Sequence, residues 1–310
     1  MKVLSSKKQH FFFAGTLTII SSLQCTSIND DGANHSPSSK EQRNAGSIQH
    51  YMRKGPHSFS QLTDFRIRIS AKVQLVTDVY LANLSTKKAP LVIFQHGNRS
   101  DKSRHRNQAK HLATWGFHSL VLNQPNRHQW MENGHNLSRL IRLLHQWPRM
   151  LDNKFLPNSI ILVGHSFGGS AIAIAAGKKS PVRGLIFLDP ALFDPKVKAY
   201  LKRVSVPSII IGADRRIFTA RKRQAFYRSI PRNIMEVSVK NATHNDAQNP
   251  NMFVFKEFFG LSPAPSEIRQ NFFMGAIVAS VTSLANGSTN RAWKLLTAKT
   301  SPAFIEQRKK

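Results

Sequence analysis

The chain is poor in three things. Cysteine occurs once in 310 residues, as Cys25. The folded domain therefore has no disulfide pair and must be held by its core. Acidic residues number 16 against 45 lysines and arginines, for a formal net charge of +29. That imbalance favours contact with anionic membranes, polyanions or acidic substrates, beside the plainer reading of a solvated basic surface. Long apolar runs are also missing. The stretch Phe11–Ile20 is too short to span a bilayer. No helix-turn-helix, zinc-finger or RNP pattern occurs, which speaks against sequence-specific binding of nucleic acid. There is no internal repeat, and no histidine spacing reads as a metal site.

What is present divides the chain into four parts. Lys2, Lys7 and Lys8, the apolar stretch and the small polar residues after it read as an export signal over residues 1–25, cleaved between Ser21 and Ser27. Loss of those three lysines lowers the charge from +29 to +26. Cys25 sits where a lipid-anchored cysteine would, but Gln24 before it is not the small residue such anchors carry. Residues 26–57 are polar and read as a flexible spacer. Residues 58–260 alternate strand-like and helix-like segments, as a single α/β domain does. Residues 261–310 read as a C-terminal helical segment, with no charge from Phe272 to Asn290. That segment suits core packing better than a membrane face.

Strands are expected over Asp64–Ser70, Val73–Leu81, Pro90–Gln95, His118–Leu122, the run from Ser159, Gly184–Leu188, Pro207–Gly212 and Ile234–Val239, with helices over Asn107–Trp115 and Leu137–Leu151. Continuously apolar strands separated by helices imply a mostly parallel sheet covered on both faces.

The run Ile160-Ile161-Leu162-Val163-Gly164-His165-Ser166-Phe167-Gly168-Gly169 is an apolar strand, a Gly-x-Ser-x-Gly turn and the start of a small-residue helix. Such a turn aims a serine hydroxyl out of the fold as a nucleophile. Glycines two before and two after it avoid collision with the neighbouring strand and helix. A serine needs a base, and the base needs an acid to orient it. His244 is the only histidine C-terminal to Ser166, which singles it out as the base. Four acids lie between them: Asp189, Asp194, Asp214 and Glu236. Asp189 and Asp214 each end a strand at the edge where sites of open α/β sheets gather. Proline after Asp189 suits an abrupt strand end, whereas Arg215 and Arg216 beside Asp214 offer it ion pairs. Asp189 is preferred and Asp214 is the alternative. An oxyanion requires two backbone N–H donors. Those expected are Phe167, directly after the serine, and Asn98, in the Gly97 loop after the third strand. His96 reads as a buried structural histidine.

Together these residues resemble the α/β-hydrolase superfamily over roughly residues 60 to 260. Gly164-His165-Ser166-Phe167-Gly168-Gly169 with Gln95-His96-Gly97 upstream is similar to platelet-activating-factor acetylhydrolases and to dienelactone-hydrolase-like or polyester-hydrolase-like esterases. Leu188-Asp189-Pro190-Ala191 looks like the lipase version of the acid motif, which supports Asp189. In polyester hydrolases the acid lies one strand later, which would select Asp214.

Only 16 residues separate Asp189 from Val206, leaving no room for the helical cap of larger hydrolases. Two basic runs flank the expected site: Arg99, Lys102, Arg104, Arg106 and Lys110, then Arg215, Arg216, Arg221, Lys222, Arg223 and Arg228. They suit an anionic membrane surface or an acidic substrate. The expectation is an exported serine esterase or lipase that needs no cofactor and no metal, with an ester or lipid as substrate. The alternatives are an acyltransferase or amidase using the same triad, or an inactive hydrolase fold that binds anionic surfaces. Acyl length and oligomeric state have no signature in the chain.

Overall fold

The protein is described by a computed structural model for residues 47–85, 88–126, 128–151, 155–214, 220–250, 266–298 and 304–310. The expected leader, Cys25, most of the polar spacer, Arg215 and Arg216 lie outside the described residues.

Nine strands form one sheet: β1 (Phe59–Arg68), β2 (Gln74–Ala82), β3 (Ala89–Gln95), β4 (His118–Asn123), β5 (Phe155–His165), β6 (Gly184–Leu188), β7 (Ser208–Ala213), β8 (Ile234–Val239) and β9 (Phe304–Lys309). Their order is β1-β2-β4-β3-β5-β6-β7-β8-β9. From β4 across to β8 every pairing is parallel, while β1, β2 and β9 run antiparallel to their neighbours. The helices are α1 (Ile48–Met52), α2 (Arg106–Thr114), α3 (Trp130–Gln146), α4 (Phe167–Gly177), α5 (Val197–Leu201), α6 (Ala220–Ser229), α7 (Glu267–Ala285) and α8 (Asn290–Leu296).

Alternation along the central strands explains the layers. Successive side chains of a strand point to opposite faces. Leu91, Ile93, Leu162 and Phe187 therefore join one core with Leu137, Leu140, Ile141 and Leu144 of α3, Ile172 and Ile174 of α4 and Phe226 of α6. Val92, Phe94, Val163 and Leu188 join the other, with Leu112 of α2 and the apolar length of α7. A strand buried on both faces has no polar side to show, which is why these runs read as continuous hydrophobics.

Three expectations need correction. The spacer does not extend to His57. Ser47 caps Gln49 N–H at 3.2 Å, and α1 buries Ile48 and Tyr51 beneath α7. The C-terminal segment is not wholly helical, because β9 pairs with β8 and covers the edge it would otherwise leave open. The helix expected from Leu137 begins at Trp130 and ends at Gln146. The uncharged stretch from Phe272 packs inward: Phe272, Phe273, Ile277 and Val281 are at most 1% exposed. No helix among the described residues is long and apolar enough to cross a membrane. Between β6 and β7 stands only the short helix α5, with no cap.

If α7 is core, Phe273→Ala removes a fully buried ring and should cost about 3–5 kcal/mol. This is read from the denaturant midpoint at unchanged m-value. A cost below ~1 kcal/mol would show that α7 does not carry the fold.

Candidate active site

The turn between β5 and α4 places Ser166 at φ 53° and ψ −124°, a conformation that side chains rarely adopt. Neighbouring hydrogen bonds hold it there. Ser166 N–H donates to Leu188 O at 3.1 Å, and Ser166 O accepts from Gly169 N–H and Ala191 N–H, each at 3.0 Å. Tight packing explains the flanking glycines. A Cβ on Gly164 would lie 2.6 Å from Gly168 O, and one on Gly168 would lie 2.3 Å from Gln95 O. The strand beside the turn therefore demands Gly168, and the helix after it demands Gly164.

The same bonds tie the turn to the end of β6. Ser170 Oγ donates to Ala191 O at 2.8 Å. Asp189 bends the chain there with φ 37°, and its N–H donates to Ile211 O at 2.9 Å. Its carboxylate is buried and divided between two tasks. Oδ2 accepts from His244 Nδ1 at 2.6 Å. Oδ1 accepts from Ala213 N–H at 3.1 Å and from Arg223 Nη1 at 2.9 Å. Burial alone would raise the Asp189 carboxyl, but the hydrogen bond and charge of His244, then the charge of Arg223, hold it well below the usual carboxylate range. An ionised acceptor on Oδ2 makes His244 Nδ1 the donor, so His244 Nε2 carries the free lone pair.

His244 starts a 3-10 turn (residues 244–247) whose capping box joins Thr243 and Asp246. Asp246 Oδ2 accepts from Thr243 N–H at 2.6 Å and Arg269 Nε at 2.9 Å, and Oδ1 accepts from Ser266 N–H at 2.7 Å. Gln108 Nε2 donates to Ala247 O at 3.0 Å. The loop carrying His244 is thus anchored to α7 on one side and α2 on the other. The His244 side chain is 35% exposed, so the site opens to solvent.

Two more histidines back this one. The His165 ring lies 4.4 Å from the His244 ring, and the His105 ring lies 5.9 Å from His165. His165 Nε2–H donates to His244 O at 3.0 Å. Burial, then the neighbouring His244 and His105, push His165 well below the ordinary histidine range. It is therefore neutral and does not repel a charged His244.

Ser166 sits beside these groups, although its hydroxyl makes no hydrogen bond to His244 among the described residues. Contacts of this kind commonly tighten only with substrate bound. Gly97 approaches the serine closely, since a Cβ there would lie 2.8 Å from Ser166 Cβ. His96 is buried, and its Nδ1–H donates to Gly97 O at 2.8 Å. In a trans peptide the N–H points opposite to the carbonyl, so fixing Gly97 O also fixes the direction of Asn98 N–H. Phe167 opens α4, where N–H groups have no intrahelical partner.

Asp214, the alternative acid, is not joined to His244. Its Oδ2 accepts from Asn241 N–H at 3.3 Å. Asp194 accepts from Lys196 N–H at 2.7 Å on the surface. The basic rim is narrower than expected. Arg223 is 2% exposed and turned inward to Asp189 and Glu236. Lys102 pairs with Asp64 and Asp78. Arg99, Arg106 and Arg228 remain exposed. Sequence reasoning missed Arg223, Asp246 and His165 as parts of the site. One signal was available: Glu236 in the apolar strand Ile234–Val239 needs a buried cation.

The chain matches a known family. The profile described as the alpha/beta hydrolase family covers residues 96–298, well over half the chain, and that span includes Ser166, Asp189 and His244. The chain matches no curated protein.

The buried histidines carry a pH signature. Burial, only partly offset by the bond to Gln108, lowers His105 to about 4. The unfolded chain takes up that proton near pH 6.5, so the stabilisation is full above that pH and is lost as pH falls toward 4. The loss from His105 is about 2 kcal/mol by pH 5. In melts at pH 7 and pH 5, His105→Gln should shrink the difference between the two. An unchanged difference would contradict a neutral buried His105.

Proposed function

The chain belongs to the alpha/beta hydrolase family, and on that premise we propose that it is an exported serine hydrolase cleaving carboxylic esters. The observation that carries the reading is the 2.6 Å bond between His244 Nδ1 and Asp189 Oδ2, made beside a serine held in a strained turn.

Ser166 Oγ attacks the ester carbonyl carbon, and His244 Nε2 takes the hydroxyl proton. Asp189 keeps His244 in the Nδ1–H tautomer and stabilises the imidazolium that forms. The N–H groups of Asn98 and Phe167 receive the oxyanion. When the intermediate collapses, the carbon–oxygen bond to the alcohol breaks and His244 returns the proton to that oxygen. Water then attacks the acyl-serine with the same proton path, releasing the carboxylic acid and free Ser166.

The surroundings favour an apolar ester. The Phe167 ring stands between Trp130 at 5.9 Å and Phe193 at 6.0 Å, and Phe167 and Phe193 are only half-buried. These rings make an apolar wall next to the nucleophile. With no cap between β6 and β7, a bulky or interfacial substrate has access. Exposed Arg99 and Arg106 follow the oxyanion loop, and with a net charge of +29 they favour approach to an anionic lipid surface. Export rests on the leader, with Cys25 as a weak anchor point.

A p-nitrophenyl ester chain-length panel, run with and without anionic vesicles, tests the reading. Ser166→Ala should abolish turnover. Asp189→Asn should lower it by about 10³- to 10⁴-fold, while Asp214→Asn should stay within about three-fold. Anionic vesicles should raise turnover of long-chain esters, and salt should reverse the gain. Loss of turnover in Asp214→Asn alone, with both variants folded, would overturn the choice of acid. Equal rates with neutral and anionic vesicles would overturn the surface.

A further inference from the structure

Arg223 is the most deeply buried cation among the described residues, with a side chain 2% exposed. It lies on α6 and reaches the sheet between β7 and β8. Its Nε donates to Glu236 Oε1 at 2.8 Å and its Nη2 to Ser238 Oγ at 2.8 Å. Its Nη1 donates both to Asp189 Oδ1 at 2.9 Å and to Ala213 O at 2.7 Å. At least four of its five N–H groups are engaged. The seat is shaped for the guanidinium, since a Cβ on Gly212 would lie 2.4 Å from Arg223 Cζ. Burial would lower this cation, but Asp189 and Glu236 more than offset that and raise it.

An ion pair with Glu236 alone would balance the charge of a structural arginine. Here the same plane also fixes one oxygen of Asp189, the residue whose other oxygen meets His244. We propose that Arg223 is a positioning residue for the candidate triad: it locks the Asp189 carboxylate edge-on to His244 and couples the Glu236 charge to that base. The inference rests on the reading of Ser166, His244 and Asp189 given above.

Charge counting states the consequence. Asp189 and Glu236 each carry one negative charge and Arg223 one positive, so one net negative charge backs His244. When His244 takes the serine proton, the cluster becomes neutral, which favours the imidazolium. Replacing Glu236 by glutamine makes the cluster behind His244 neutral beforehand. The imidazolium loses that support and His244 gives up its proton more readily. The acid limb of the reaction then moves to lower pH. The other groups near the base are unchanged by this substitution: neutral His165 beneath it, His105 beyond, Asp214 at the end of β7, and Asp246 paired with Arg269. The double change Arg223→Met with Glu236→Gln keeps one net negative charge but leaves Asp189 Oδ1 with only the Ala213 N–H to hold it. It should leave the limb near its native position and lower the plateau rate.

The test is the pH dependence of Ser166 phosphonylation by a fluorophosphonate in the full chain, with thermal melts to confirm folding. Glu236→Gln should shift the acid limb down by roughly half a pH unit or more. The double variant should lower the plateau labelling rate by about ten-fold or more. A native limb in Glu236→Gln, or a native plateau rate in the folded double variant, overturns the inference and leaves Arg223 a packing residue. Absence of labelling in the native protein is a different failure. It removes Ser166 as nucleophile, and this inference falls with it.

Discussion

A carboxylate taken out of water at the end of β6 costs several kcal/mol unless opposite charge and hydrogen bonds compensate it. Asp189 meets that requirement with Ala213 N–H, Arg223 and His244, and each partner comes from a different element. The strand β7 supplies the amide, α6 the guanidinium and the loop after β8 the imidazole. Compensating one charge therefore brings three separate parts of the chain to the edge of the sheet. Removing a partner would leave a buried charge exposed to low dielectric, which is why these contacts are coupled rather than additive.

The serine turn depends on the same neighbourhood. Its strain is held by bonds to Leu188 O and from Ala191 N–H, on either side of Asp189. Ser166 and Asp189 are thus fixed by one short segment of chain. His244 arrives from the far side on a loop anchored by Asp246. The parallel sheet makes this arrangement available, because all of these residues lie at the C-terminal ends of β5, β6 and β7 or just beyond β8.

Much of this was readable in the chain. The parallel core was legible because strands buried on both faces must be continuously apolar. Ser166 stood out by its glycines, and His244 by being the last histidine in the chain. Asp189 and Asp214 were separable only in part, since both end strands, and a strand end does not tell which way its carboxylate reaches. Glu236 in its apolar strand signalled a buried cation, but the run Arg221-Lys222-Arg223 concealed which residue supplies it. Adjacent cations on a helix point in different directions, and a linear run looks like a solvated face. α1 and β9 were missed for another reason. α1 is five residues and β9 six, too short for a clear apolar period, and their order comes from what they pack against: α7 for the one and the open edge of β8 for the other.

The central claim is that the Asp189 carboxylate, and no other, holds the Nδ1 proton of His244. Proton NMR of the folded chain tests it directly. A proton held between imidazole and a buried carboxylate is shielded from exchange and resonates far downfield. The account predicts such a resonance in the native protein and in Asp214→Asn, and its loss in Asp189→Asn. A resonance that survives Asp189→Asn and vanishes in Asp214→Asn would contradict it.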